Sequence, residues 1–331
     1  MSTTKDILIF GEQFEGKPHR VATELATGAA SLAGATGGAA LGVTLGRGAR
    51  AAARELGAYG LGHVSYIPSD DLSDYGVHAQ AHALADIIRE KQPLAVLFPA
   101  TNDGRDVAAR VSAILDYGIL CNAARLYLAD DGRLASEQGA FEASLLVACV
   151  TTGDDPTLVT VRGKVYAAER AGGEATLEEL PYTPAPEAQD VRVVEVVVKE
   201  SDEAVPLEGA NVVISGGRGL GGPEGFERLR ELADAMGAAL GASRAAVDAG
   251  WGIPYAMQVG QTGKTVKPKA YLAVGISGAI QHKVGMQGAD AIIAINKDPE
   301  APIFSFADLG IVGDWHNIIP KLTDEMRKRQ G

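Results

Sequence analysis

The sequence contains few aromatic residues, few cysteines and no long apolar run. Aromatic residues make up 5% of the 331 residues. The two cysteines, Cys121 and Cys149, form neither a metal-binding spacing nor a disulfide framework, so we expect them to be small core residues. No run of roughly 18 apolar residues is present, which predicts no membrane span. An apolar strand at 7–10 follows the start without a signal segment, and we expect a cytoplasmic protein.

Positive charge is also scarce relative to negative charge. The chain carries 30 Lys and Arg against 42 Asp and Glu, which gives a formal net charge of −12. Nucleic acids and anionic membranes are bound through basic patches that neutralise phosphates. The sequence therefore predicts no nucleic-acid partner and no membrane insertion.

Glycine, in contrast, is abundant, with 41 residues. Small residues permit close helix–sheet packing and the many strand-to-helix turns of α/β folds. Apolar strands alternate with helical segments from residue 6 to 115, which predicts a mainly parallel sheet flanked by helices. Short runs at 144–150, 158–161 and 165–168, separated by glycines, indicate a more antiparallel edge of the same domain.

A proline-rich segment and a polar linker divide the chain. Residues 181–190 interrupt the strand pattern, and 191–199 alternate β-branched residues, which predicts a last strand. A polar linker at 200–208 follows. We therefore predict two domains, residues 1–204 and 205–331. The second repeats the alternation of strands and helices and is expected to be a doubly wound parallel sheet.

One stretch, 271–297, has the pattern of a phosphate-binding βαβ unit. An apolar run is followed by a turn of small residues, a short helical segment and a second apolar run. Ser277 is predicted to be the N-cap of the helix, and the free N–H groups behind it would form an anion site. On spacing alone, this turn suits any nucleotide.

A dinucleotide fingerprint, G-x-G-x-x-G, is formed by Gly217, Gly219 and Gly222. The acidic residue expected after the next strand is absent, because Ser243 and Arg244 stand there. A site that grips the ribose of NAD is therefore disfavoured. Two interpretations stay open: a turn that needs small residues for packing, and a loop that lines a phosphate or flavin.

Two further patterns are weaker. Ser277 lies in a G-x-S-x-A turn and is followed by Asp298 and His316 in hydrolase order, but the domain is short for that fold and no oxyanion loop is visible. His78 and His82 lie four residues apart on a predicted helix without a matching carboxylate or cysteine pair, so a solvated helix face is favoured over a metal site.

Polar side chains follow successive strands of the predicted second sheet. They are Arg244, Gln261, Thr262, Lys264 and Lys267. Such turns meet at the carboxyl edge of an open α/β sheet, where ligands bind. Cations and donors near a flavin ring stabilise its reduced anionic form, so the set suits a redox cofactor.

The second half of the chain resembles the α subunit of electron-transfer flavoproteins. The resemblance covers most of residues 211–314 and rests on SGGRGLGG (215–222), GASRAAVDAGW (241–251), VGQTGKTVKPKAYLAVGISGAIQHKVGM (259–286), AINKDPEAPIF (294–304) and GIVGD (310–314). The first half resembles the family more loosely, through PATNDGRDVAARV (99–111).

The resemblance implies that the C-terminal domain binds FAD. Three side chains would tune the flavin ring: Arg244 near N5, Thr262 near N5 or O4, and His282 at O2, where it would stabilise negative charge. A core histidine remains the alternative for His282. The implied cofactor-binding residues are Arg218, Ser243, Arg244, Gln261, Thr262, Gly275, Ser277, Gly278, Gln281, His282, Asn296, Lys297 and Asp314.

Within that set, the resemblance assigns the two ends of the cofactor to different turns. Ser243, Ser277 and Gly278 would hold the pyrophosphate, with Arg218 and Gln281 nearby. Asn296 and Asp314 would bind the adenosine end, with Lys297 adjacent.

The resemblance also implies partners. The N-terminal domain would contact a β subunit that holds AMP or a second FAD, and the heterodimer would carry electrons from dehydrogenases to a quinone- or ferredoxin-linked acceptor. Gly250-Trp251 and residues 263–269 look more like the branch with electron-bifurcating members, in which NADH is the donor. Two competing interpretations are a stand-alone NAD-dependent oxidoreductase and a structural subunit with a vestigial site.

Overall fold

The computed structural model describes residues 3–140, 145–196, 207 and 209–330. The chain forms two compact units, residues 1–197 and 198–331. The predicted domain boundary between residues 204 and 205 lies outside the described residues. Among the described residues, no helix is long and apolar enough to cross a membrane.

The first unit is built on a parallel sheet of seven strands. The described strands of this unit, which include those outside the seven-stranded sheet, are β1 Ile7–Phe10, β2 Gln13–Phe14, β3 Lys17–Pro18, β4 Ala40–Leu45, β5 His63–Ile67, β6 Ala95–Pro99, β7 Ile119–Ala123, β8 Arg125–Leu128, β9 Leu134–Ala140, β10 Leu145–Val150, β11 Thr157–Val161 and β12 Thr176–Glu179. Its helices are α1 Arg20–Thr36, α2 Ala49–Gly57, α3 Asp71–Asp74, α4 Gly76–Lys91 and α5 Asn102–Leu115. The strand order in the seven-stranded sheet is β12-β5-β4-β1-β6-β11-β7, and every neighbouring pair in it is parallel.

Strand β1 shows why this sheet is covered on both faces. Its four apolar residues are all buried, and alternate side chains point to opposite faces. Ile7 and Ile9 pack with α1 and α2, whereas Leu8 and Phe10 pack with α4 and α5. A continuous apolar run is typical of a parallel strand between two helical layers, and the predicted parallel sheet is confirmed.

The predicted antiparallel edge is only partly correct. Strands β8, β9 and β10 form a separate antiparallel sheet, as expected. Strand β11, however, pairs in parallel with β6 and β7, and all five of its residues are buried. Residues 165–168 form no strand. The interpretation failed for β11 because its partners lie far away in sequence.

Two further predictions on the first unit are wrong. Residues 191–196 form no strand, and Val194 is 98% exposed; residues 197–199 lie outside the described part of the chain. Cys121 is exposed and Cys149 is only half-buried. Cys121 lies on β7, a strand at the edge of the sheet, where its side chain is exposed to solvent.

The second unit is a doubly wound parallel sheet, as predicted. Its elements are β13 Val212–Gly216, α6 Pro223–Met236, β14 Ala239–Ala242, α7 Arg244–Val247, β15 Ala270–Val274, α8 Ile280–Met286, β16 Ile292–Asn296, β17 Leu309–Val312 and α9 Trp315–Gln330. The strand order is β14-β13-β15-β16-β17, with all pairs parallel. Helices α6 and α9 cover one face, and α8 packs on the other.

Candidate functional site

The parallel topology of the second unit brings the predicted residues to one edge of the sheet. Each of the five strands ends at its carboxyl edge in a turn that carries some of them. The order reverses between β13 and β15, because β14 lies on one side of β13 and β15 on the other. Ligands in open α/β sheets bind in the crevice at such a switch point.

The turns after β13 and β15 are interlocked at this switch point. Gly217 N donates to Val274 O at 2.9 Å, and Gly219 N donates to Gly275 O at 3.0 Å. A Cβ atom on Gly217 would overlap the Gly275 carbonyl, and one on Gly219 would lie 2.7 Å from it. These two fingerprint glycines therefore permit backbone packing. Arg218, between them, is exposed.

The turn after β15 offers backbone donors. Within the described residues, the N–H groups of 276–279 donate to no protein acceptor. Gly275 and Gly278 have φ values of +63° and +88°, which favour glycine. A Cβ atom on Gly278 would overlap the Ile303 nitrogen, which donates to Ser277 O at 2.9 Å. Consecutive N–H groups in a turn form an anion-binding concavity.

Ser277 is not the N-cap of α8, contrary to the prediction. The turn is two residues longer than expected, so Ala279 occupies the N-cap position without a capping side chain. Ser277 is exposed instead. The donors at this turn are therefore mainly its own peptide groups.

His282 is buried rather than open to the edge. It lies on α8, is 6% exposed, and its Nε2 lies 3.0 Å from the hydroxyl of Tyr271 on β15. Burial lowers the pKa of His282 to about 4, although a hydrogen bond with the Val259 backbone acts in the opposite direction. Its Nδ1 has no hydrogen-bond partner of ordinary geometry among the described residues. At neutral pH this imidazole is therefore uncharged.

The loop between α7 and β15 packs against α8 and carries Gln261 and Thr262. Gln261 N donates to Gln281 O at 2.7 Å, and a Cβ atom on Gly285 would overlap the Gly260 nitrogen. This close approach fixes the loop beside His282 and exposes Thr262.

Sequence reasoning missed two buried polar residues behind this edge. Gln258 is 1% exposed, and its Nε2 donates to Thr262 Oγ1 at 2.9 Å. Tyr271 is fully buried against His282. A single polar residue inside the apolar run of β15 was the available signal for Tyr271. No local pattern marked Gln258, which lies outside the predicted strands and helices and just before the glycine-rich loop.

The turn after β14 presents Ser243 and Arg244. Ser243 is buried at the N-cap position of α7, and its backbone N donates to Gly216 O at 2.9 Å. Arg244 is 67% exposed and forms an ion pair with Asp248 at 3.2 Å. An exposed ion pair of this kind contributes little to the free energy of unfolding. Arg244 can therefore leave Asp248 and contact a ligand with little loss of stability.

Asn296 and Asp314 each support a neighbouring turn. Asn296 Nδ2 donates to Ile276 O at 3.0 Å and so ties β16 to the turn after β15. Asp314 Oδ1 accepts a hydrogen bond from His316 N at 3.0 Å, at the start of α9. Hydrogen bonds from the His316 backbone and side chain hold the pKa of Asp314 below its ordinary value. Lys297, next to Asn296, is exposed.

The hydrolase and metal-site interpretations find no support. His316 pairs with Asp314, and Asp298 accepts from the Glu300 backbone, so no triad with Ser277 is assembled. The nitrogens of His78 contact Glu187 O and Arg110, and no cluster of three potential metal ligands exists among the described residues.

The donor set at this edge fits a large anionic cofactor such as FAD. It combines the N–H groups of 276–279 with three exposed cations, Arg218, Arg244 and Lys297. His282 adds a buried imidazole, which contacts the Tyr271 hydroxyl through Nε2 and hydrogen-bonds the Val259 backbone.

Comparison with known proteins identifies similar chains. Residues 206–287 match the family model described as the electron transfer flavoprotein FAD-binding domain, and residues 7–197 match the electron transfer flavoprotein domain. The electron transfer flavoprotein subunit alpha of Thermoanaerobacterium thermosaccharolyticum is 40% identical, with 99% of each chain covered. That of Megasphaera elsdenii is also 40% identical, over 99% of this chain and 98% of the relative. Protein FixB of Azorhizobium caulinodans is 38% identical, over 98% of this chain and 89% of the relative.

Proposed function

This chain belongs to the electron transfer flavoprotein family, and we propose that it is the α subunit of a heterodimer and holds FAD at the carboxyl edge of its second sheet. The observation that carries this proposal is the turn at 276–279, whose four N–H groups lack a protein acceptor among the described residues at the switch point of the sheet. The bound FAD would supply the redox chemistry by taking up and releasing electrons.

In this proposal the chain's residues bind and orient the cofactor. The N–H groups of 276–279, with Ser243, Ser277 and Gly278, hold the pyrophosphate, and Arg218 and Gln281 lie beside it. Asn296 and Lys297, one strand further along the sheet, and Asp314, two strands further, serve the adenosine end. Arg244, Thr262 and His282 act on the flavin ring, with Gln261 and Gly275 shaping the adjacent turns.

The buried state of His282 sharpens its role. Because burial lowers its pKa to about 4, His282 acts as a neutral hydrogen-bond donor. Charge on the flavin would be balanced by Arg244, an exposed guanidinium.

Arg244 therefore provides the test of this proposal. Arg244→Ala in the complex with the β subunit should retain the fold and lower the flavin's first reduction potential. Arg228→Ala is the matched control, because Arg228 also forms an exposed ion pair, with Glu231 at 3.2 Å, but lies within α6. Equal potentials in the wild type and in Arg244→Ala would contradict the assignment of the ring to this turn.

The donor and acceptor define the subtype, and we propose an ordinary carrier that links dehydrogenases to a quinone- or ferredoxin-linked acceptor. The electron-bifurcating alternative is distinguished by cofactor content and by NADH. One FAD and one AMP per heterodimer, without reduction by NADH, would support the ordinary carrier. Two FAD molecules and rapid reduction by NADH would establish the alternative.

A further inference from the structure

A cavity of about 430 Å³ opens at the carboxyl edge of the sheet in the first unit. Its lining residues come from the ends of β1 and β4, the hairpin β2–β3, the starts of α1 and α5, and α4. Strand β1 lies between β4 and β6, so the strand order reverses there, and ligands of open α/β sheets bind at such a switch point. The volume is within the range of about 300–1,000 Å³ typical of small-molecule sites. None of the residues proposed to bind FAD lines this cavity.

Glu12 is a half-buried carboxyl in the wall of the cavity. The Thr101 hydroxyl donates a hydrogen bond to its Oε2 atom and so ties the loop after β1 to the loop after β6. Burial raises the pKa of Glu12, and the nearby Asp103 carboxyl acts in the same direction, whereas the Thr101 hydrogen bond and His19 oppose the rise. Among the described residues, Glu12 forms no ion pair. A positively charged ligand group would therefore stabilise its carboxylate.

The same wall carries two donors for an anionic group, Lys17 and His19. Lys17 is exposed and forms no ion pair within the described part of the chain. The backbone N–H of Val21 donates to Nδ1 of His19 at 3.2 Å. Because an amide nitrogen can only donate, Nδ1 is unprotonated and the ring proton is on Nε2, from which it can be donated to a ligand.

The charges of the lining favour a ligand with an ammonium group. Arg20 is already paired with Glu24 at 3.0 Å, so its charge is offset. The carboxyls of Glu12 and Asp103 then outnumber Lys17, the one further cation among the described lining residues. A purely anionic ligand such as a nucleotide is therefore disfavoured, whereas a zwitterion matches both kinds of group.

Apolar side chains complete the cavity, namely Phe10, Phe14, Pro18 and Leu45. Phe14 is 57% exposed, so its ring is open to a ligand. Aromatic rings pair favourably with one another in stacked or edge-to-face arrangements. The apolar part of the lining therefore suits a ligand with an aromatic ring.

We propose that this cavity is a second ligand site, which binds an aromatic α-amino acid. The ammonium group of the ligand pairs with Glu12, its carboxylate pairs with Lys17 and His19, and its ring packs against Phe14. This site goes beyond the proposed function, because it lies in the first unit and involves no group of the cofactor.

The first test compares three ligands by isothermal titration of the complex with the β subunit. L-Phenylalanine carries both charged groups, 3-phenylpropionate lacks the amine, and 2-phenylethylamine lacks the carboxylate. We expect saturable binding of phenylalanine and at least about tenfold weaker binding of each analogue, because a charge-assisted contact is lost. An absence of phenylalanine binding, or equal binding of 3-phenylpropionate, would overturn the inference. Equal binding of 2-phenylethylamine would overturn the roles of Lys17 and His19.

The second test is Glu12→Gln, which removes the charge and retains an acceptor for Thr101. We expect phenylalanine to bind at least about tenfold more weakly to this variant. Glu178→Gln is the matched control, because Glu178 is also half-buried and accepts a hydrogen bond from Ser65 Oγ at 3.0 Å, but lies outside the cavity. Its phenylalanine affinity should equal that of the wild type. An unchanged affinity in Glu12→Gln would overturn the assignment of the ligand to this cavity.

A third variant keeps the inference testable if Glu12→Gln does not fold. Lys17→Met changes an exposed side chain and should weaken the binding of phenylalanine but not that of 2-phenylethylamine. Equal weakening of both ligands would contradict the pairing of Lys17 with the carboxylate. The titration does not depend on FAD, so a complex without FAD would contradict the proposed function alone.

Discussion

Gln258 Nε2 donates a hydrogen bond to Thr262 Oγ1 at 2.9 Å, and the donor is buried while the acceptor is exposed. A buried amide thereby occupies a lone pair of a surface hydroxyl. The Thr262 hydroxyl therefore still has its own proton to donate to another acceptor.

Gln258→Met removes this donor and nearly preserves the volume of the side chain. We expect FAD to bind about fivefold more weakly, because one oriented hydrogen bond is worth about 1 kcal/mol. Stability should change little, since the substitution also removes Gln258 Oε1, a buried acceptor without a partner among the described residues. FAD titration and thermal unfolding measure the two effects.

The control for that variant is Gln80→Met. Gln80 is half-buried in the first unit, and its Nε2 donates to Leu72 O at 3.2 Å. Its replacement should leave FAD affinity unchanged. Equal FAD affinity in Gln258→Met and the wild type would show that Thr262 does not depend on Gln258.

His282 should make the second unit less stable in acid. Its pKa is about 4 when folded, below its ordinary value of 6.5. The unfolded chain therefore binds a proton between these values and the folded chain does not, so stability falls as pH decreases from 6.5 towards 4. A fall of about 2 kcal/mol is expected between pH 6.5 and pH 5.

Tryptophan fluorescence isolates this effect, because both tryptophans, Trp251 and Trp315, lie in the second unit. Urea unfolding at pH 6.5 and pH 5 gives the change in the free energy of unfolding with pH. His282→Gln should make this change smaller, whatever its effect on the stability at either pH. A pH dependence unchanged by His282→Gln would argue that another group titrates.

Gly278→Ala should destabilise the turn after β15. Its φ of +88° is unfavourable for alanine, and the new Cβ atom would overlap the Ile303 backbone. We expect a loss of more than about 2 kcal/mol together with loss of FAD, from strain and overlap combined. Gly250→Ala is the control, because Gly250 has a φ of +76° but no atom within 4 Å of the added Cβ. Equal losses in both variants would contradict the importance of the contact with Ile303.

Two variants of Asp314 separate its role as the cap of α9 from its proposed role in cofactor binding. Asp314→Ala should cost about 0.5–2 kcal/mol, because α9 loses the acceptor for His316 N. Asp314→Ser should retain the cap but lack the carboxylate. If the carboxylate serves the adenosine end, Asp314→Ser unfolds like the wild type and binds FAD more weakly. Wild-type FAD affinity in Asp314→Ser would restrict this residue to capping.

Local patterns predicted the second sheet better than they predicted its buried polar contacts. The strands and turns of 271–297 could be recognised because apolar runs and glycines are local signals. The burial of His282 could not, because it depends on Tyr271 and on the Val259 loop, which only the folded chain brings together. The parallel pairing of β11 was missed for the same reason, since its partner strand β6 is distant in the sequence.

The central claim is that the C-terminal unit of this chain holds FAD at its carboxyl edge. It is tested most directly by the visible spectrum and the released FAD of the complex purified after co-expression with the β subunit, for the wild type and for Gly278→Ala. We predict a yellow wild-type complex, with Gly278→Ala containing one FAD fewer per heterodimer. A colourless wild-type complex, or an equal FAD content in the two proteins, would contradict the claim.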